Sequence, residues 1–322
     1  MRFSITNQHK NGLNQIILAD TVSRTEVVVL PQTGALLNAF SVIHGNERIN
    51  IIDGYTDKND LQNGLSDSFK GPKLSPFVCR MKDGRYEFGG KRFELRNKFK
   101  DGNAIHGLLY NKTFEEVKRF DSENEARLEL EYIYDKDDEA YPFKYSCKVV
   151  YTLGLESRLN IYTQIMNLSD QTIPLADGWH PYFTLGGYVN DWELQFPCDG
   201  MVEFDDRLIP TGSVIPFNRF NQKNKIGDIE LDNCFLLKQT NNKQFQEICL
   251  LTNPSAGLGI RFEGDGTYPY LQVYIPAHRK SIAIENLSGA PDCFNNKMGL
   301  ILLPPGNLKD FSVSYCVIKN LS

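Results

Sequence analysis

Two histidines and one glutamate hold the side chains of this sequence best suited to moving a proton. His180 lies in Asp177-Gly178-Trp179-His180-Pro181-Tyr182-Phe183, His106 in Asn103-Ala104-Ile105-His106-Gly107, and Glu285 in Ile284-Glu285-Asn286. An imidazole donates or accepts a proton near neutral pH, and a carboxylate can serve opposite it as a base. The aromatic residues around His180 suit a concave ligand surface, and they suit core packing equally well. Taken singly, each candidate also has a plain structural reading: His180 filling a turn, His106 in a loop, and Glu285 capping a backbone at a strand end.

The elements that must position these residues read as strands. Glu26-Val27-Val28-Val29-Leu30 is a β-branched run closed by Pro31 and Gly34. Tyr86, Phe88, Phe93 and Leu95 alternate around Gly89-Gly90, which signals a hairpin. Arg127 to Tyr134 alternates strictly, and residues 145–153 and 159–168 form two longer strand candidates joined by a short turn. Further runs recur at 192–196, 234–238, 247–251, 258–262, 270–275, 281–285, 300–303 and 311–318. Residues 54–73, rich in Asp, Asn, Ser and Gly, read as a long surface loop of the kind that often carries function. No segment shows a sustained helical period. Short strands at close spacing, with crossings too brief for helices, predict an all-β protein built as a large antiparallel β-sandwich, with residues 1–322 forming a single domain.

The bulk properties narrow the partners. A formal charge of −5 argues against nucleic acid or an anionic membrane, both of which select basic surfaces. The seven cysteines are scattered and never paired at metal-site spacing, so they read as small buried hydrophobes. The first residues turn polar before an apolar leader core could form, and no later run reaches the length of a membrane span. A cytoplasmic protein with a small neutral ligand is the expectation.

The order of motifs along the chain resembles the aldose 1-epimerase (galactose mutarotase) family. The resemblance runs from Arg80, ahead of the hairpin, through Asn103 and His106-Gly107 to Tyr141-Pro142-Phe143 and His180-Pro181-Tyr182-Phe183. It continues through Leu231-Asp232-Asn233-Cys234-Phe235, Ala283-Ile284-Glu285-Asn286 and Leu303-Pro304-Pro305-Gly306. It implies a galactose mutarotase-like supersandwich whose concave sheet binds a sugar, and interconversion of the α and β anomers of a free hexose without metal or organic cofactor. Glu285 matches the family's base, His180 its acid, and His106 a residue that polarises the ring-oxygen region. Ionised Glu285 beside protonated His180 is the expected working state. Arg80 and Asp232 match positions that hydrogen-bond sugar hydroxyls, and Trp179 and Tyr182 are candidates for an apolar platform under the pyranose.

The match is imperfect around both histidines. Galactose mutarotases tend to follow the first histidine with two glycines and to set Asn before and Ser or Thr after the second. Here Leu108 follows His106-Gly107, and Trp179 and Pro181 flank His180. Hexose-6-phosphate 1-epimerase is therefore an alternative, with Lys82, Arg85, Arg279 and Lys280 as rim cations if they converge. A non-catalytic carbohydrate-binding protein on the same fold is another. A sandwich domain from a polysaccharide lyase or glycosidase is a more distant one.

Overall fold

A computed structural model describes residues 1–238 and 245–320. Among these, three antiparallel sheets account for most of the strands. The first is a five-stranded meander in chain order, from Phe3–Lys10 to Glu47–Asn50. The second has nine strands. Its centre is the predicted hairpin, Lys144–Gly154 paired with Arg158–Asn167, followed by Leu308–Lys319 and Leu258–Gly264. The third has eight strands and contains Asp232–Leu237, Tyr270–Tyr274, Ile282–Leu287, Gly178–Trp179 and Lys73–Leu74 as consecutive neighbours, with Tyr182–Phe183 also paired to Ile282–Leu287.

Alternation along the strands decides what each face does. In Ile282–Leu287 every residue is buried, and the side chains at even and odd positions point in opposite directions. The Asn286 Oδ1 accepts a 3.4 Å hydrogen bond from the Tyr315 hydroxyl on the nine-stranded sheet. Asn286 therefore faces the space between the sheets, and Glu285 faces away from it. The same rule applies next door. Phe183 packs edge-on against Phe262 and Tyr315, and Trp179 against Tyr151, so both fill the inter-sheet core. Full burial of such a ring stabilises by roughly 1.5–3 kcal/mol. One contiguous buried cluster includes Phe40, Tyr151, Trp179, Phe183, Ile284 and Val313, drawing on all three sheets.

A charged group also lies in that interior. Lys73 and Asp177, both fully buried, form an ion pair; the Lys73 Nζ also donates to the Gly178 carbonyl at 3.1 Å and sits 4.4 Å from the Trp179 ring centroid. The Tyr268 hydroxyl donates to the Asp177 carboxylate at 2.8 Å. This network ties the strand leading into His180 to the strand Lys73–Leu74 beside it.

The long loop expected over residues 54–73 instead contains an α-helix, Lys58–Ser68. Asp57 caps it, its side chain accepting from the Asp60 backbone N–H, and Phe69 closes it in the left-handed conformation at φ 49°. The only apolar residues in the helix are Leu61 and Leu65, one turn apart, and they pack on Leu13, Leu30, Leu36 and Tyr55. Two leucines make too narrow a stripe to register as a helical period, which is why composition alone suggested a loop.

Candidate active site

Strand register brings His180 and Glu285 together. Gly178 pairs with Leu287, and further along Tyr182 pairs with Ala283 and Phe183 with Ile282. The regular ladder lapses between them at His180-Pro181, where proline has no N–H to contribute. Register on the two sides of the gap is the same, so His180 stands opposite Glu285. The His180 Nε2 is 3.3 Å from the Glu285 Oε1. On the other flank, Gln272 is the direct partner of Glu285, and Cys234 of Gln272. The row His180, Glu285, Gln272, Cys234 thus crosses four strands on one face.

Loops supply the rest. His106 follows the strand Ala104–Ile105, itself paired with Arg80–Met81, and its backbone is left-handed at φ 59°. The following Gly107, at φ 78°, passes so close to Ser75 that a Cβ would lie 2.3 Å from the Ser75 carbonyl oxygen. That position requires glycine on both counts. The His106 ring meets His180 edge-on at 4.6 Å between centroids, and Phe69 covers its other side at 4.6 Å.

These residues line a cleft of about 240 Å³. Glu285, His180 and His106 form its floor, with Cys79, Gln272, Asp232 and Tyr182 around them and Phe69, Phe99, Phe204 and Arg80 in its walls. The Arg80 Nε donates to the Asp101 carboxylate at 2.8 Å, and the Gln272 Nε2 donates to Asp232 Oδ1 at 2.8 Å. The Gln272 Oε1 and the Nδ1 atoms of both histidines are buried with no hydrogen-bond partner among the described residues.

Burial dominates the electrostatics of the floor. It pushes the Glu285 carboxyl well above the usual carboxylate range, with the Asp232 charge adding to the effect. It lowers His180 to about 4 and holds His106 well below the ordinary imidazole value, the latter also repelled by His180 and Arg80. Asp232 is raised by burial as well, partly offset by Arg80 and by the Gln272 hydrogen bond. Both shifts favour the uncharged forms of the two groups. They work against the ionised Glu285 and protonated His180 expected as the working state, because removal from water penalises both charges.

Of the residues expected at the site, Glu285, His180, His106, Arg80, Asp232 and Tyr182 all line this cleft. Trp179 does not. It shares a strand stretch with His180, but the period-2 alternation that points His180 and Tyr182 toward the cleft points Trp179 into the core, where 1% of it is exposed. None of Lys82, Arg85, Arg279 and Lys280 lines the cleft. Arg85 pairs with Glu94, and Arg279 donates to Asn190 and to the Gly227 and Ile229 carbonyls. Among the described residues, the cations that do reach it are Arg80 and Lys100. Gln272 and Cys79 went unnoticed in the sequence. Gln272 lies in the strand run 270–275, and only its register against Glu285 distinguishes it.

A sequence profile described as aldose 1-epimerase matches residues 18–316, and the chain belongs to that family. It is 27% identical over 246 residues to YihR of Escherichia coli K12, spanning 73% of this chain and 75% of YihR. It is 30% identical over 170 residues to human galactose mutarotase, spanning 51% of this chain but only 45% of that protein. Among solved structures, a galactose mutarotase-like protein of Clostridium acetobutylicum superposes with a TM-score of 0.86, covering 99% of each chain at 20% identity. Galactose 1-epimerase of Lactobacillus acidophilus does so with a TM-score of 0.81, covering 100% of each chain at 20% identity. At such identity these two superpositions establish a shared fold.

Proposed function

We propose that this protein is an aldose 1-epimerase acting on a neutral free sugar, with Glu285 as base and His180 as acid. The observation that carries this reading is the 3.3 Å approach of His180 Nε2 to Glu285 Oε1 on the cleft floor. Ring opening needs one proton removed from the anomeric hydroxyl and one delivered to the ring oxygen. Burial favours the pair's proton on Glu285, so it first passes to His180 across their contact; Glu285 then accepts the first and His180 gives the second, and the pair holds one proton throughout with the exchange neutral overall. After ring opening the proton resides on Glu285 and His180 is neutral, which is the state that burial favours. Rotation about C1–C2 and reclosure from the other face return it to His180. The same low-polarity floor thereby favours the open-chain intermediate relative to the closed sugar held by the charged pair.

The walls divide the remaining work. Arg80, Asp232 and Gln272 present charged or amide groups to sugar hydroxyls, each such hydrogen bond contributing on the order of 1–3 kcal/mol. Tyr182, Phe69 and Phe99 offer apolar faces to the C–H groups of a pyranose. His106, edge-on to His180, polarises the region of the ring oxygen. No metal or organic cofactor enters this scheme.

Polarimetry on fresh α-glucose and α-galactose tests it. Wild-type protein should accelerate mutarotation, and Glu285→Gln should not. A wild-type rate equal to buffer across a panel of aldoses and their 6-phosphates would overturn the reading; sugar binding by calorimetry without acceleration would leave a non-catalytic binding protein.

A further inference from the structure

We propose that Cys79, His106 and Glu285 form a binding site for a thiophilic divalent cation of the zinc class, and that such a cation blocks the cleft. The three residues come from separate parts of the chain, yet one ligand atom of each lies within 4.8 Å of the other two. The Cys79 Sγ is already 3.9 Å from Glu285 Oε2. Thiolate, imidazole and carboxylate are the three ligand types zinc uses, and three protein ligands leave the fourth tetrahedral position open toward the cleft. Bond lengths of about 2.0–2.3 Å place tetrahedral ligand atoms roughly 3.3–3.8 Å apart. The cluster therefore has to contract by about an ångström, a distance that side-chain torsions of the glutamate span.

Two further observations bear on this set. The His106 Nδ1 is buried without a hydrogen-bond partner among the described residues. Cys79 and His106 both have left-handed backbones, at φ 48° and 59°, and the His106 N–H donates to the Cys79 carbonyl at 3.0 Å. Left-handed non-glycine residues are uncommon and persist where the surroundings over-determine them. Here they set two ligand side chains side by side at the cleft floor.

The charges balance. Cys79 binds as thiolate and Glu285 as carboxylate, so two ligand anions and a neutral imidazole meet one divalent cation, and the protons they displace leave for solvent. Asp232 faces the set and favours the cation, and Arg80, ion-paired with Asp101, opposes it. His180, 3.3 Å from Glu285 and edge-on to His106, is a further titratable neighbour that opposes the cation if protonated, and Tyr182 and Cys234 also lie beside the set. Affinity should rise with pH because protons are products. Ligation occupies the proposed base, so cation and sugar exclude each other. The binding claim itself does not rest on the epimerase reading.

Cd²⁺ titrated into the metal-free full-length protein under mild reduction tests this. Wild type should develop a thiolate-to-cadmium charge-transfer band in the ultraviolet that saturates at one ion per chain. Cys79→Ser should lose the band, and Cys316→Ser, on the strand Leu308–Lys319, should keep it. His106→Asn should weaken Cd²⁺ binding on the order of tenfold or more, and Asn accepts the left-handed backbone. Zn²⁺ should slow any mutarotation that the protein catalyses, with reversal by chelator. A wild type without a band, or a band that survives in Cys79→Ser, overturns the proposal. If circular dichroism shows that Cys79→Ser is unfolded, His106→Asn decides, and unchanged Cd²⁺ affinity there overturns it. Metal binding with no mutarotase activity in chelated protein would instead overturn the epimerase reading alone.

Discussion

His180 and Glu285 occupy opposed positions on neighbouring strands, Nε2 to Oε1 at 3.3 Å, at the point where Pro181 interrupts the ladder between Gly178–Trp179 and Tyr182–Phe183. The interruption frees the chain to aim His180 into the cleft while the flanking register holds its distance. If the two act as one proton-transfer unit, their losses do not add. Glu285→Gln and His180→Asn should each lower kcat/KM by roughly 10²–10⁴, and the double variant should be little worse than the poorer single one. Polarimetric rates for the four proteins check this, and fully additive losses would contradict it.

The protonation state is open to direct measurement. Burial lowers His180 to about 4, so imidazole NMR should find it neutral at about pH 6, below the ordinary midpoint near 6.5. As pH falls through about 4, His180 takes up a second proton for the pair, Glu285 no longer finds an acceptor for its own, and kcat/KM should decline. A His180 midpoint at or above the ordinary value would refute this.

The same burial costs stability. Glu285 is raised in the folded protein, so between its unfolded value and its folded one the native state holds a proton that the unfolded state has released. Its contribution is most favourable below the unfolded value and is lost as pH rises through the folded one. Glu285→Gln has no such loss. Its advantage in Tm should grow from acid to neutral pH, reaching roughly 1–2 °C for each kcal/mol gained in a chain of this size. A Tm difference independent of pH would argue against a raised Glu285.

The two aromatic neighbours of His180 should separate cleanly. Tyr182 lines the cleft, and its replacement by Leu should raise KM about threefold to tenfold, as loss of roughly 0.5–1.5 kcal/mol of aromatic contact would. Trp179 packs on Tyr151 and Lys73, away from the cleft. Trp179→Phe should cost about 0.5–3 kcal/mol of stability and leave KM unchanged.

Lys73→Met would leave Asp177 charged and unpaired in the core. The expected loss is about 3–5 kcal/mol by urea denaturation, and Lys73→Met with Asp177→Leu should recover much of it. Equal destabilisation by the single and double changes would mean that the pair is not coupled.

Much of this was legible before any coordinates. Alternation in 127–134, 145–153 and 159–168 identified strands because a half-exposed sheet imposes period 2 on side-chain polarity. The helix Lys58–Ser68 escaped because its support is a cap at Asp57 and two leucines, against a polar composition. At the site, residue type was enough for His180, His106 and Glu285. Direction was not: Trp179 and Tyr182 look equally apt in sequence, and only the phase of the strand, fixed by pairing with Ala283 and Leu287, assigns one to the core and the other to the cleft. Gln272 and Cys79 acquire meaning solely from their neighbours in space.

The origins of floor and wall set how this protein can be altered. His180, Glu285, Gln272 and Asp232 belong to one sheet, where a one-residue slip would turn every cleft-facing side chain into the core. Phe69, Phe99, Lys100, Leu208 and Pro291 lie outside the strands, in connecting segments. Such segments accept insertion and exchange that a central strand does not. A library confined to them would redraw what the cleft admits while every variant keeps the same His180, Glu285, Gln272 and Asp232 floor.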